Sequence, residues 1–413
     1  MPSNSESYAS DELHVPQWLN SYFIREILGQ HFKIPELRVV DVKFFPASAK
    51  GDHCLSLMFR AVVEYETPQN ENSNKISLII KTMPEQDGQA KELLDESHIF
   101  RTEVEMYTEV LPKFEEILRE VGDETTFGAS CIYHSLKPQQ VMVFEDLLPL
   151  GYAIIRRFAT ADELQAALTK LAKWHAVSYK LLNEQTKLFD QLQYDMSTLP
   201  KFLDQPFITQ ALGHFLNMLD NVESLKRYRN YFEPLHQKGN LIQSWVNIVR
   251  EYRDNRQENS YYVLCHGDFH LRNMMFRGLE CTLLDFQMAH VGPMTSDIIY
   301  AMYVLFDAKI RREKSDELIY NYFHTFMNTL MHIGYQDKLP CLLEFRRQMF
   351  ENRYNDFLLI IAFLPLIKHF RNGAEEIVED EQKLGQLYYQ KEYLDDLEDM
   401  LPRMLHLGYF EEL

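Results

Sequence analysis

The alternation of apolar and polar positions changes character along the chain. Residues 1–14 are polar and acidic and read as a frayed tail, after which a helical pattern begins near Pro16 and Trp18. Residues 36–82 switch to short runs of strand character: Leu37 to Val40, Leu55 to Val63, and Ile76 to Lys81. The polar stretch Thr67 to Lys75 predicts a loop joining the last two as antiparallel strands. A helix is predicted from about Gln89 to Leu111, followed by two further strands, the second ending at Phe144. Beyond Pro149 and Gly151 the pattern is mostly helical. Thr160-Ala161-Asp162-Glu163 forms a capping box that opens a helix through Leu164, Leu168, Leu171 and His175. One β-rich island, Tyr261 to Leu284, interrupts this half. The pattern therefore predicts an α+β protein in two parts, residues 15–147 and 148–413, behind a tail of residues 1–14.

Composition narrows the function classes. The chain has 413 residues, 46% hydrophobic and 25% charged, which suits a globular protein rather than a disordered or fibrous one. Forty-two Lys and Arg against 61 Asp and Glu give a net charge of −19, which argues against general binding to nucleic acid or anionic membrane. The most apolar stretch, Phe357 to Ile367, is about half a membrane span and reads as a buried helix. The first residues carry no apolar leader pattern. Five scattered cysteines (Cys54, Cys131, Cys265, Cys281, Cys341) show neither CxxC nor zinc-ligand spacing. Together these features predict a cytoplasmic protein with reduced thiols. Nothing in the pattern specifies an oligomeric state.

The island carries the chemistry. A short apolar strand runs into His266-Gly267-Asp268-Phe269-His270-Leu271-Arg272-Asn273; a hairpin then returns through Leu283-Leu284 to Asp285-Phe286-Gln287. Two carboxylates and an amide at one rim are what phosphoryl transfer needs: a group to orient an acceptor hydroxyl and oxygen donors for Mg²⁺. Upstream, strand periodicity puts Ile76, Leu78 and Ile80 on one face and Ser77, Ile79 and Lys81 on the other. Phe100, Val104, Tyr107 and Leu111 form a helical stripe with Glu103 on or beside it. A buried lysine and a buried carboxylate each supply what the other lacks. This pair is read as nucleotide-binding, with Lys81 on the α/β-phosphates and Glu103 positioning it. Asp297, early in a helix after Pro293, is read as a brace for the loop, with His266 as structural support. His175 is read as a hydrogen-bonded core histidine.

With these residues in place the chain resembles the kinase-like small-molecule phosphotransferases, which include aminoglycoside phosphotransferases and choline kinases. Within that group it is most similar to the insect ecdysteroid kinase-like (CHK kinase-like) family. Phe100 to Tyr107, Val143 to Leu147 and Leu171 to Ala176 add family-like stretches, so the resemblance spans roughly residues 15–405. It implies a bilobal, protein-kinase-like α+β fold, with a small sheet lobe and a larger helical lobe. It also implies Asp268 as the catalytic aspartate, Asn273 and Asp285 as Mg²⁺ ligands, and ATP as phosphoryl donor. Glu145 and Leu147 stand at the stretch resembling the adenine hinge, and Gly51 and Ser56 at a glycine-poor phosphate loop. The acceptor implied is a hydroxyl of an ecdysteroid, another steroid-like molecule or a xenobiotic alcohol.

Departures from the pattern matter as well. His270 sits where many family members carry Trp and is given no role. Gly267 replaces the arginine common in protein kinases, and only eleven residues separate Asp285 from Asp297. There is no room for an activation segment, which disfavours a Ser/Thr protein kinase. A non-catalytic kinase-fold binding protein is the other alternative, opposed by the intact Lys81, Glu103, Asp268, Asn273 and Asp285. Phe306, Tyr320, Tyr322, Phe323, Phe326, Met327 and Met331 are read first as helical core and second as lining for an apolar acceptor pocket.

Overall fold

Strand-forming residues with strict alternation build the sheet that the sequence predicts. The structure, a computed structural model, describes residues 14–47, 56–84, 98–184, 186–371 and 380–411. Most of the predicted tail, Gly51 and the start of the helix predicted from Gln89 lie outside the described residues. The chain divides into two units. One comprises the described residues up to Lys113, with Thr126–Ile154 and Met274–Gln287; the other comprises Phe114–Thr125, Ile155–Asn273 and Met288 onward.

In the first unit, β1 (Arg38–Pro46), β2 (Leu57–Thr67), β3 (Asn70–Thr82), β4 (Cys131–Ser135) and β5 (Val141–Glu145) form an antiparallel sheet ordered β1-β2-β3-β5-β4. Helix α1 (Ser21–Phe32) starts at Asn20, whose side chain accepts from the Tyr22 and Phe23 amides. Its Ile24, Ile27 and Leu28 pack with Phe59, Ala61, Val63, Leu78, Ile80 and Val143 in a core on one face of the sheet. Each such buried aliphatic chain contributes roughly 1.5–3 kcal/mol. Lys81 alternates to the opposite face.

The polar stretch Thr67 to Lys75 is not a loop. β3 already begins at Asn70, and Lys75 faces Glu64 in the ladder. Backbone pairing does not require apolar side chains, so a hairpin near the sheet edge tolerates a polar run. The predicted helix likewise continues past Leu111. α2 (Ile99–Glu105) passes through a π-helical turn, Met106–Val110, into α3 (Leu111–Glu120). Pro112 follows that wider turn, which is one way a helix accommodates a residue without an N–H.

The second unit is mainly helical. α4 (Ala161–Glu184) opens with the predicted capping box: the Glu163 amide donates to Thr160 Oγ1 at 3.3 Å, and the Thr160 amide donates back to Glu163 at 2.8 Å. Also present are α5 (Leu241–Val249), α6 (Thr295–Val304) and α7 (Ser315–His332). A second π-turn, Leu359–Phe363, joins α8 (Tyr354–Leu358) to α9 (Leu364–Arg371), so Phe357 to Ile367 is the buried helical segment expected. β6 (Tyr262–Cys265) pairs with β9 (His290–Pro293). The hairpin of β7 (Met274–Arg277) and β8 (Glu280–Leu283) belongs to the first unit, where Ala153 bridges Phe276 and the Leu283 amide donates to the Phe127 carbonyl.

Among the described residues no helix is long and apolar enough to cross a membrane. Phe306, Tyr322, Phe323 and Phe326 are buried core, whereas Tyr320 and Met331 are exposed.

Candidate active site

In the first unit, Lys81 sits at the end of β3 with Glu103 of α2 opposite. Its ammonium donates to Glu103 Oε2 at 2.5 Å and to Asp285 Oδ1 at 2.8 Å. Lys81 and Glu103 are nearly inaccessible. Burial works against the lysine's charge, but Asp285 and Glu103 outweigh it and raise its pKa. Two carboxylates share this one ammonium. Burial, with Asp285 adding to it and Lys81 opposing, pushes Glu103 up to about 7. The surplus negative charge suits an additional cation beside Asp285, and a carboxylate is a donor that Mg²⁺ accepts.

Asp285 holds this position through an uncommon backbone. Its φ of 60° is in the left-handed region, rare for a residue with a side chain. The next residue anchors it: Phe286 is fully buried, with its ring edge-on to Tyr107 at 5.1 Å. Gly128 leaves room for both rings, since a Cβ there would lie 3.0 Å from Phe286 and 3.1 Å from Tyr107.

Along the hinge stretch, the Glu145 amide donates to the Ser130 carbonyl, and the Leu147 carbonyl accepts from Leu150 and Tyr152. Asp146 between them is the side chain that fixes the segment. It is buried and accepts from Arg60 at 2.6 Å, Ser77 Oγ at 2.6 Å and the Leu148 amide at 3.1 Å. Ser56 lies immediately before β2, partly buried.

In the second unit, β6 delivers His266-Gly267-Asp268. Trp174 and Ser178 of α4 hold that strand: the indole N–H donates to the Leu264 carbonyl at 2.6 Å and the Leu264 amide donates to Ser178 Oγ. Asp297 of α6 braces the loop by accepting from the His266 and Gly267 amides at 2.6 and 3.0 Å. His175 Nε2 lies 3.2 Å from Asp297 and its Nδ1 2.5 Å from Tyr322 Oη, making it the hydrogen-bonded core histidine expected. Burial opposes the charge on Asp297; His175 outweighs it and lowers the pKa. The His266 ring packs near Trp174 and Phe269. Gly267 is required, because φ is +79° and a Cβ would sit 2.1 Å from the Met288 carbonyl oxygen.

Asp268 accepts from Asn273 Nδ2 at 3.0 Å and from Tyr300 Oη at 2.9 Å. His270 Nε2 is 3.3 Å away. The Arg272 amide donates to His270 Nδ1, which places the proton on Nε2, facing Asp268. Burial alone would raise the Asp268 pKa, but His270 and Tyr300 draw it down to about 2. The carboxylate is therefore ionised throughout the neutral range. Asn273 commits its amide nitrogen to Asp268, leaving the carbonyl oxygen for a cation. Tyr300, His270 and Asp146 are contacts that the sequence reading did not assign.

The ecdysteroid kinase-like family model matches residues 50–335. The chain belongs to the ecdysteroid kinase-like family. Membership makes it a small-molecule kinase in general terms, on a kinase-like α+β fold. No curated protein matches it. Among solved structures, a choline kinase from Cryptosporidium parvum Iowa II is similar with 8% identity and a TM-score of 0.46, covering 94% of this chain and 98% of its own. A choline/ethanolamine kinase family protein from Mesorhizobium loti is 10% identical with a TM-score of 0.34, over 82% and 88% of the two chains. An amicoumacin kinase, solved with AMP-PNP, Ca²⁺ and Ami, is 13% identical with a TM-score of 0.37, over 87% and 88%.

Proposed function

We propose that this protein transfers the γ-phosphoryl group of ATP to a hydroxyl of a small molecule, an ecdysteroid or other steroid-like or xenobiotic alcohol. The observation that carries the reading is the buried Lys81 held between Glu103 and Asp285. A lysine kept charged and immobile on a strand end is suited to nucleotide phosphates. Glu145 and Leu147 would offer backbone to the adenine edge, and Ser56, with Gly51 outside the described residues, stays assigned to the phosphate loop. Asn273 and Asp285 are the residues proposed as Mg²⁺ ligands. The ion would offset the negative charge of the nucleotide phosphates.

Asp268 accepts the hydrogen bond of the acceptor hydroxyl and orients its oxygen. As the new oxygen–phosphorus bond forms and the bond to the ADP oxygen breaks, the hydroxyl proton passes toward Asp268, giving a phosphate monoester and ADP. A carboxylate with a pKa of about 2 is a weak resting base, so orientation is its main contribution. His266 and Asp297 hold the loop.

The four free thiols among the described residues support a reducing, cytoplasmic setting. Binding of nucleic acid is disfavoured by the net charge of −19.

The test is ATP consumption by the full chain with a steroid-alcohol panel, against a Ser/Thr peptide library. Steroid-dependent ADP release is expected, with Asp268→Asn lowering turnover by roughly 10²–10⁴-fold while nucleotide affinity stays within about twofold. Phosphorylation of peptides alone would establish the protein-kinase reading instead. ATP binding without turnover on any acceptor would favour the binding-protein alternative.

A further inference from the structure

Helix α6 reaches the loop after β6 twice. Asp297 and Tyr300 stand three positions apart and so lie on one side of that helix. Asp297 takes the His266 and Gly267 amides and fixes the backbone of the loop. Tyr300 Oη donates to Asp268 Oδ1 at 2.9 Å and fixes the carboxylate itself. A single helix thus sets both where Asp268 begins and which way its carboxylate is turned.

The donors are divided unevenly between the two carboxylate oxygens. An ionised carboxylate only accepts, with two lone-pair sites on each oxygen. Oδ2 receives Asn273 Nδ2 at 3.0 Å and has His270 Nε2 at 3.3 Å, so both of its sites face a donor. Those donors are themselves held. Asn273 Nδ2 also donates to the Asp268 carbonyl at 3.0 Å, and the Arg272 amide donates to His270 Nδ1 at 3.2 Å. Oδ1 receives Tyr300, and its second site is met by no other hydrogen bond among the described residues. The Asp268 side chain is 20% exposed, which leaves room for a partner from outside the protein.

We propose that Oδ1 is the oxygen that meets the acceptor hydroxyl, and that Tyr300 is the positioning residue that aims it. The assignment rests on the phosphotransfer reading above. The hydroxyl donates to the open site of Oδ1, beside the Tyr300 hydrogen bond. As a lone pair of its oxygen forms the bond to the γ-phosphorus, the bond from that phosphorus to the ADP oxygen breaks and its electrons leave with ADP. The proton passes to Oδ1 and from there to solvent. Without the Tyr300 hydroxyl the carboxylate is tethered through Oδ2 alone, and the reacting oxygen is no longer held toward the acceptor.

Steady-state kinetics of the full chain with ATP, Mg²⁺ and the fastest acceptor of the steroid-alcohol panel test this. Rates are expressed per nucleotide-binding site, so that misfolded molecules drop out. Tyr300→Phe removes one hydroxyl and is expected to lower kcat about ten- to hundredfold, with KM for the alcohol and affinity for ATP changed less than about twofold. His270→Ala acts on the oxygen that does not react, and its loss of kcat is expected to be at least about fivefold smaller. An unchanged kcat in Tyr300→Phe, a loss confined to KM, or a His270→Ala loss within about fivefold of it would overturn the assignment and leave the kinase reading intact. Should Tyr300→Phe yield no nucleotide-binding protein, His270→Ala decides alone: a loss beyond about tenfold places the transfer on Oδ2, and a smaller one upholds Oδ1. No turnover of any alcohol by the wild-type chain would remove the kinase reading and this assignment with it.

Discussion

At the scale of single residues, charge burial sets the paired Lys81 and Glu103 apart from the surrounding apolar packing. Lys81 and Glu103 were legible because strand alternation and a helical stripe each assign a face, and a buried charge on one face requires its opposite on the other. Asp268 and Asp285 were legible as a motif. His270, Tyr300 and Asp146 were not, because their partners are fixed by tertiary contact: Tyr300 is 32 positions from Asp268, and Asp146 is 86 from Arg60. Asp356 is another such residue. Its Oδ1 accepts from Tyr303 at 2.6 Å, its Oδ2 is buried without a partner, and burial pushes its pKa up to about 7. A folded-state pKa raised above the ordinary 3.8 means that the folded chain keeps a proton that the unfolded chain has released. Asp356 therefore costs stability progressively as pH rises from about 4 to 7, by at most about 4 kcal/mol in all. Asp356→Asn should remove this loss, so that urea unfolding shows the variant gaining on wild type at pH 8 relative to pH 5. An equal difference at both pH values would contradict the assignment.

At the scale of elements, the sequence reading was good where periodicity is tied to burial and poor where backbone geometry decides. The capping box at Thr160 was predicted by side-chain chemistry alone and formed as read, with Arg157 adding a two-pronged contact to Glu163 at 2.6 and 2.8 Å. Replacing Thr160 by Ala should cost about 1 kcal/mol, measured as a lower urea midpoint with an unchanged slope. Thr67 to Lys75 failed as a loop because polar side chains do not stop ladder pairing. The two π-turns had no period-based signal. Each is followed at its second position by a proline, Pro112 and Pro365, and that pairing was the available clue.

At the scale of the whole molecule, the composition of the first unit was the hardest feature to read. Residues 274–287 arrive there from the middle of a helical stretch, through hydrogen bonds to Phe127 and Ala153 and through Phe286 against Tyr107. No local pattern records that excursion, because each strand of the hairpin is only four residues long. A fragment of residues 14–154 would leave the space beside Gly128 and Tyr107 unfilled and Lys81 without Asp285. It should lack a cooperative thermal transition by circular dichroism, and fusing residues 274–287 through a flexible linker should restore one. A cooperative transition in the short fragment would show that the hairpin is dispensable to this unit.

Gly267 limits how such a chain can be controlled. Protein kinases that answer to a phosphorylated segment place an arginine at this point to grip the phosphate. Here the neighbouring peptide oxygen occupies the volume where any side chain would begin, and the backbone twist excludes one independently. Installing that latch would mean rebuilding the turn around Met288 as well, so a single substitution at this position cannot supply a phosphate-gripping arginine.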